Sequence, residues 1–261
     1  MMTNDMANPF GIEGYSARSY GDAFADVYDQ WYHDLDDHDF IAMICASLGP
    51  DPVRILELGV GTGRLVRVLQ SLRGDIADEI VGIDSSPAML RIARDQCNTA
   101  VTFVEGDFSH TLPEGPFDVV FVGYNTLFNL PNEDALRACM TLVASRLSPQ
   151  GQFFIDVVMP PQRSTQEHVG IRSMSTTEVV LSVSRHDAEN QHITGQFIQF
   201  TDGAQLTLRP WSIRYFSPTQ LDTYALDAGL VLHRRVSDGH GHTFDPTADR
   251  HISCFSVAPP K

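Results

Sequence analysis

Positive charge is scarce in this sequence: 18 lysines and arginines stand against 33 aspartates and glutamates, a formal charge of −15 with neutral histidines. A surface of that sign repels phosphate backbones, and no stretch gathers the basic residues into a patch. Nucleic-acid partners and attachment to anionic membranes are therefore not expected. Long apolar runs are missing as well. No 18-residue hydrophobic stretch occurs, and the opening MMTNDMANPFGIEG has neither a basic end nor an apolar segment. A soluble, cytoplasmic protein that does not engage a membrane is expected. The four cysteines, Cys45, Cys97, Cys139 and Cys254, are single and far apart, which argues against a metal knuckle or a disulfide framework and for buried thiols. Internal repeats and low-complexity segments are absent too.

What is present centres on Val53 to Leu65, VRILELGVGTGRL. A short apolar run, an acidic residue and three glycines at alternate positions read as strand, tight turn and helix. Such a turn needs backbone conformations that a Cβ would forbid, and a ligand approaches main chain only where no side chain intervenes. A dinucleotide fingerprint has its third small residue at the sixth position, where this chain has Arg64. Glu57, just before the first glycine, would oppose a pyrophosphate and instead suits a cationic group such as an α-amine. The run E-L-G-x-G-T-G resembles the first motif of class I S-adenosylmethionine-dependent methyltransferases.

Before this run lies a polar arm to about Glu13, expected to be mobile. Aromatic and apolar residues follow at helical spacing over Tyr15 to Tyr32, and a second helix over Asp39 to Leu48. Beyond it, Arg64 to Leu72 should be a helix whose N-terminus faces a ligand carboxylate. Ile80 to Ile83 is a strand tipped by Asp84, placed to accept from a ribose diol as in nucleotide folds generally. Ser86-Pro87 opens the next helix. Val101 to Glu105, Phe117 to Val122 and Gln152 to Val158 complete five strands, with a helix over Glu133 to Leu147 and a turn at Ser148-Pro149-Gln150-Gly151. Thr177 to Arg185, His192 to Thr201 and Gln205 to Tyr215 alternate as three antiparallel strands, turning at Glu189-Asn190 and at Asp202-Gly203-Ala204. A helix from Ser217-Pro218 to Ala228 and strands Leu230 to Val236 and Arg250 to Val257 close the chain.

The expected fold is α/β: a Rossmann-like, seven-stranded, mostly parallel sheet with helices on both faces, an N-terminal helical lid and an inserted antiparallel three-stranded sheet. The expected divisions are arm and lid over 1–50, cofactor-binding core over 51–171, insert over 172–216 and sheet completion over 217–261. With R-Y-F-S-P-x-Q-L before the last helix, the chain is similar to actinobacterial natural-product methyltransferases of the amino-sugar N-methyltransferase type. In that group a G-D loop holds adenine, and Asp107 and Phe108 match its places. Tyr20 and Tyr28 repeat the group's paired N-terminal tyrosines. The resemblance implies S-adenosyl-L-methionine bound by Tyr20, Tyr28, Glu57, Gly59, Gly61, Thr62, Gly63, Asp84, Ser85, Met89, Asp107, Phe108 and Tyr124, with a small-molecule acceptor. After strand four this chain has Tyr124-Asn125-Thr126 and Asn129, where the group has Phe-Ser-Ser and a histidine or tyrosine.

Methyl transfer is an in-line displacement that chiefly needs alignment; an amine acceptor needs little base, an oxygen or carbon acceptor a stronger one. Candidate catalytic residues are Tyr20, Asn129 and the pair His240 and His242 of G-H-G-H, which read first as solvated loop residues and second as a catalytic base; no metal is expected. His33, His38 and His186 read as surface residues. The function expected is methyl transfer to nitrogen or oxygen of a small molecule in natural-product or sugar metabolism. Cofactor binding without catalysis and nicotinamide-dependent oxidoreduction are the other classes, and a homodimer stays open.

Overall fold

The computed structural model describes residues 15–35, 38–160, 166–202 and 205–258. The N-terminal arm to Glu13, and Gly203 and Ala204 of the expected turn, lie outside these residues.

Five strands, β1 (Arg54–Leu58), β2 (Glu79–Asp84), β3 (Val101–Glu105), β4 (Phe117–Val122) and β5 (Leu147–Val158), run parallel, and β10 (Leu230–Val236) and β11 (Arg250–Val257) extend them. The sheet order is β10-β11-β5-β4-β1-β2-β3, with β11 antiparallel to both its neighbours. Strands buried on both faces must be apolar nearly throughout. Accordingly four of the five β1 residues and five of the six in β4 are buried. Ile55, Val119, Phe121 and Phe154 face α3 (His38–Ser47) and α4 (Arg64–Arg73) in one core layer; Leu56, Val120, Val122 and Phe153 face α6 (Glu133–Arg146) and α7 (Pro218–Asp227) in the other. The helix α5 (Pro87–Gln96) starts at Ser86, whose hydroxyl accepts from the Met89 N–H, with proline in the first turn, and α7 carries a full capping box between Ser217 and Gln220.

Three details depart from the sequence reading. Ser148 to Gly151 is extended, as the first part of a long β5, because β4 pairs from Phe117 to Leu147. The N-terminal aromatic stretch is not one helix but two short ones, α1 (Ser19–Phe24) and α2 (Tyr28–Trp31), separated by a turn. The inserted sheet has a fourth strand: β6 (Gln166–Met174) precedes β7 (Glu178–Asp187), β8 (His192–Thr201) and β9 (Gln205–Arg214) in a meander. Its inner face holds the N-terminal stretch. Phe24 and Trp31 meet Phe197 edge to face, Arg172 lies over the Trp31 ring, and Arg209 bonds Asp26 through two nitrogens and also the Ala23 carbonyl.

Candidate functional site

At the carboxyl ends of β1, β2 and β4 the chain leaves the sheet in three turns, where ligands of open parallel sheets bind. The β1 turn holds Gly59, Gly61 and Gly63 at φ +66°, +55° and +78°. A Cβ on Gly59 would stand 2.2 Å from Thr126 Cγ2, whereas one on Gly61 would meet nothing within 4 Å. Gly61 thus leaves main chain bare toward open space, the condition for close approach by a ligand. Two adjoining cavities of about 70 and 20 Å³ share the walls Tyr28, Gly59, Gly61 and Thr126. The larger is also lined by Tyr20, Asp84, Ser85, Met89, Phe108 and Asn129, and the smaller by Glu57, Arg64 and Tyr124.

Glu57 carries the strongest electrostatic signal. It is 3% exposed, and its Oε2 has no hydrogen-bond partner among the described residues. Burial first, and the neighbouring Asp84 second, hold its carboxyl well above the usual range. A carboxylate withdrawn from water needs a compensating cation, which an α-ammonium group would supply. Arg64 lines the same small cavity, hydrogen-bonded to Tyr28 and 5.6 Å from the Tyr124 ring centroid. A carboxyl and a guanidinium lining one cavity match the two charged ends of an amino acid. Sequence reading noted Arg64 only as a departure from the dinucleotide pattern; an arginine directly after the glycines was the available signal.

Asp84 ends β2 with Oδ2 accepting from Gly61 N at 2.8 Å and Oδ1 from Ser86 N at 2.8 Å, while burial raises its pKa. The carboxylate is therefore held rigidly and retains lone pairs toward the cavity. Tyr20 and Tyr28 are both buried phenols, Tyr20 pushed well up and Tyr28 to about 12, so both stay protonated and serve as donors. The Tyr20 hydroxyl also lies 3.3 Å from that of Tyr32.

After β4, Tyr124 and Asn125 adopt φ of 53° and 63°, conformations that side chains disfavour and that surrounding structure must enforce. The enforcement is visible. Asp156 accepts from Tyr124 N at 3.3 Å and from Arg250 Nε at 2.7 Å and Nη2 at 3.0 Å, and Asn125 Oδ1 accepts from Val158 N at 2.7 Å. None of these supports was visible in local sequence, because Arg250 lies 94 positions from Asp156.

Other expected residues stand elsewhere. Thr62 donates to Asp29 at 2.6 Å, tying the core to α2. Gly63 faces Cys97 and Ala93. Asp107 accepts from Ser109 N and Oγ, and only its neighbour Phe108 reaches the cavity. His240 pairs with Asp39 at 2.8 Å and His242 with Asp238 at 2.7 Å; neither lines the two cavities. His186, read as a surface residue, is buried, its Nε2 2.8 Å from the Tyr215 hydroxyl, because it points to the inner side of β7. Among the described residues no cluster of three metal-ligating side chains occurs, all four thiols are free, and no helix is long and apolar enough to cross a membrane.

A wider groove, about 690 Å³, opens beside the cavities. Met159 and Pro160 after β5 and Asp249 before β11 form one side, and Gln166, His168, Ser184 and His186 of the second sheet the other. Met159 directly follows Val158, whose N–H donates to Asn125 Oδ1, so the groove begins one residue from the contact with the turn that carries Tyr124.

Comparison with known proteins bears on the fold. A family profile described as a methyltransferase domain matches residues 55–151. The CcbJ methyltransferase from Streptomyces caelestis is 32% identical with a TM-score of 0.83, over 94% of this chain and 100% of that one. CalS10, an amino pentose methyltransferase from Micromonospora echinaspora, superposes with a TM-score of 0.68 at 19% identity, over 88% of this chain and 97% of that one, and shares the fold. The cypemycin N-terminal methyltransferase of a Streptomyces species is 28% identical over 47% of this chain; the chain spans about half of that curated relative, 49%.

Proposed function

The chain belongs to the S-adenosylmethionine-dependent methyltransferases, and on that premise we propose that it methylates a nitrogen, or less readily an oxygen, of a small molecule in natural-product or sugar metabolism. The observation that carries the cofactor reading is that the buried Glu57 oxygen without a hydrogen-bond partner among the described residues and the Arg64 side chain belong to residues lining one cavity. Glu57 holds the ammonium of the methionine moiety and Arg64 its carboxylate; Asp84 takes the ribose hydroxyls, and Phe108 and Met89 flank adenine. When bound, the cofactor supplies a methyl group on a sulfonium whose neutral thioether is a good leaving group. A nicotinamide dinucleotide is disfavoured, since Glu57 would face its pyrophosphate.

The protein's own part is alignment and exclusion of water. Tyr20, Tyr124 and Asn129 flank the place where cofactor and acceptor meet, and the groove on the β5 side takes the body of the acceptor. Its described lining includes the carboxylate of Asp249 and the imidazoles of His168 and His186, but no lysine or arginine. That lining supports an acceptor bearing an amine and no phosphate. Incubating the protein with methyl-labelled S-adenosylmethionine and a panel of hydroxylated amines, each also offered as its phosphate ester, tests both parts. Label should enter the free amines in preference to the esters. S-adenosylhomocysteine binding with no transfer to any acceptor would favour the cofactor-binding alternative.

A further inference from the structure

Tyr32 closes α2, its N–H bonded to the Tyr28 carbonyl at 3.0 Å, and the four-residue spacing sets the two phenols on one face of the turn. We propose that Tyr32 is a positioning residue for the methyl acceptor, acting through Tyr20, an inference that rests on transfer to an amine beside the glycine turn. Tyr32 lines neither of the two small cavities, yet it touches three phenols that do. Its hydroxyl lies 3.3 Å from that of Tyr20, and its ring centroid 4.8 Å from that of Tyr28 and 6.2 Å from that of Tyr124. A fourth neighbour is Arg172 of β6, whose guanidinium carbon stands 5.1 Å from the Tyr32 ring centroid and whose Nη2 donates to the Trp31 carbonyl at 3.1 Å. The N-terminal stretch, the turn after β4 and the second sheet thus meet at one side chain. A ring packed against three separate parts of the chain has little room to turn, so its hydroxyl is a fixed point.

That fixed point decides where the Tyr20 proton goes. Burial keeps Tyr20 protonated, and among the described residues the partner of its hydroxyl is Tyr32. With one proton on each oxygen, the pair has two arrangements. If Tyr32 donates, the Tyr20 proton is left for a group in the cavity and would occupy the lone pair of an amine. If Tyr20 donates to Tyr32, its lone pairs are left for the cavity and accept an N–H of the amine. The second arrangement alone leaves the nitrogen lone pair free to meet the methyl group, and it is the one assigned here. In the transfer that lone pair forms the bond to carbon, the carbon–sulfur pair stays on the departing thioether, and the surplus proton on nitrogen passes to water afterwards. The tyrosine pair therefore contributes orientation and moves no proton to or from the amine. At 3.3 Å the two oxygens are farther apart than the usual 2.7 to 2.8 Å or so, as such pairs often are before a ligand draws them together.

Single-turnover measurements test this, with the full chain in excess over methyl-labelled S-adenosylmethionine and the hydroxylated amine that takes up most label held at saturation. Tyr32→Phe deletes the hydroxyl and keeps the ring contacts. The expected result is a rate of transfer about tenfold lower, the worth of one hydrogen bond, with S-adenosylhomocysteine affinity within about twofold of wild type by calorimetry. In a Tyr20→Phe background the same substitution should cost nothing further, because two hydroxyls acting as one unit are not additive. Should Tyr32→Phe fail to bind S-adenosylhomocysteine at all, Arg172→Gln, which uncovers the Tyr32 ring from the second sheet, replaces it in the same cycle with an expected loss of about threefold. An unchanged rate overturns the proposal, and so does an equal loss with and without the Tyr20 hydroxyl, which would make Tyr32 packing alone. A weakening of S-adenosylhomocysteine as large as the loss of rate does the same. Absence of transfer to any amine by the wild-type protein overturns the reading beneath it as well.

Discussion

On the proposed function, Glu57 serves the ligand at the expense of the free fold. Its raised pKa means that the folded, ligand-free protein holds this proton more tightly than the unfolded chain does. Stability of the free protein therefore falls as pH rises from the ordinary glutamate range through the raised value, and cofactor affinity rises through the same window. Glu57→Gln should flatten that fall in calorimetric melts, leaving the smaller contributions of Asp84 and Asp156, whose pKa values burial also raises. The same variant should bind S-adenosylmethionine roughly tenfold or more weakly in titration calorimetry, by loss of a charged hydrogen bond of about 1.5 to 3 kcal/mol. An unchanged affinity in the folded variant removes Glu57 from the site. Arg250→Ala leaves Asp156 buried beside the strained Tyr124–Asn125 turn. Because the arginine side chain is itself 32% exposed, the loss should be about 2 kcal/mol, below the range for a fully buried pair. A lowered urea midpoint with unchanged slope checks it.

At the scale of elements, what could be read from sequence follows how locally each element is determined. Strands β1, β4 and β5 are apolar because both faces are covered, and their glycine and acid tips mark the end of the sheet where the cavities lie, so the strands and the direction of the candidate site were legible. β6, with Gln166, Glu167, His168 and Arg172 among its nine residues, is an exposed edge strand recognised only through its pairing with β7. The Tyr15 to Tyr32 periodicity was real, but Asp26 turns aside to Arg209, a contact 183 positions away, and the helix breaks there. Residue type alone drew attention to His240 and His242, whereas Arg64 needed the folded cavity to gain meaning. The N-terminal stretch is joined to the core by Asp22 to Ser86 and Asp29 to Thr62, both at 2.6 Å. S-adenosylhomocysteine should slow proteolysis within residues 15–35. Thr62→Val, losing about 1 kcal/mol of that attachment, should speed it about fivefold; equal cutting with and without bound ligand would make the stretch ordinary core.

Across the whole molecule, the cavities at the glycine turn hold only about 70 and 20 Å³ of space, far less than the several hundred Å³ of a typical small-molecule site. A ligand of nucleoside size passes only when the N-terminal stretch, fastened to the second sheet by the Asp26 to Arg209 pair, parts from the core. An order of events in time is the expected consequence. The expected order has the cofactor entering first and its spent form leaving last, with separation of the two surfaces, rather than the displacement at carbon, setting the rate of steady turnover. Rapid-quench measurements should show one equivalent of product formed quickly and the rest at a slower constant rate. Thr62→Val should accelerate that slow phase while raising KM for the cofactor. A linear time course from the first turnover would mean that the displacement itself keeps the time.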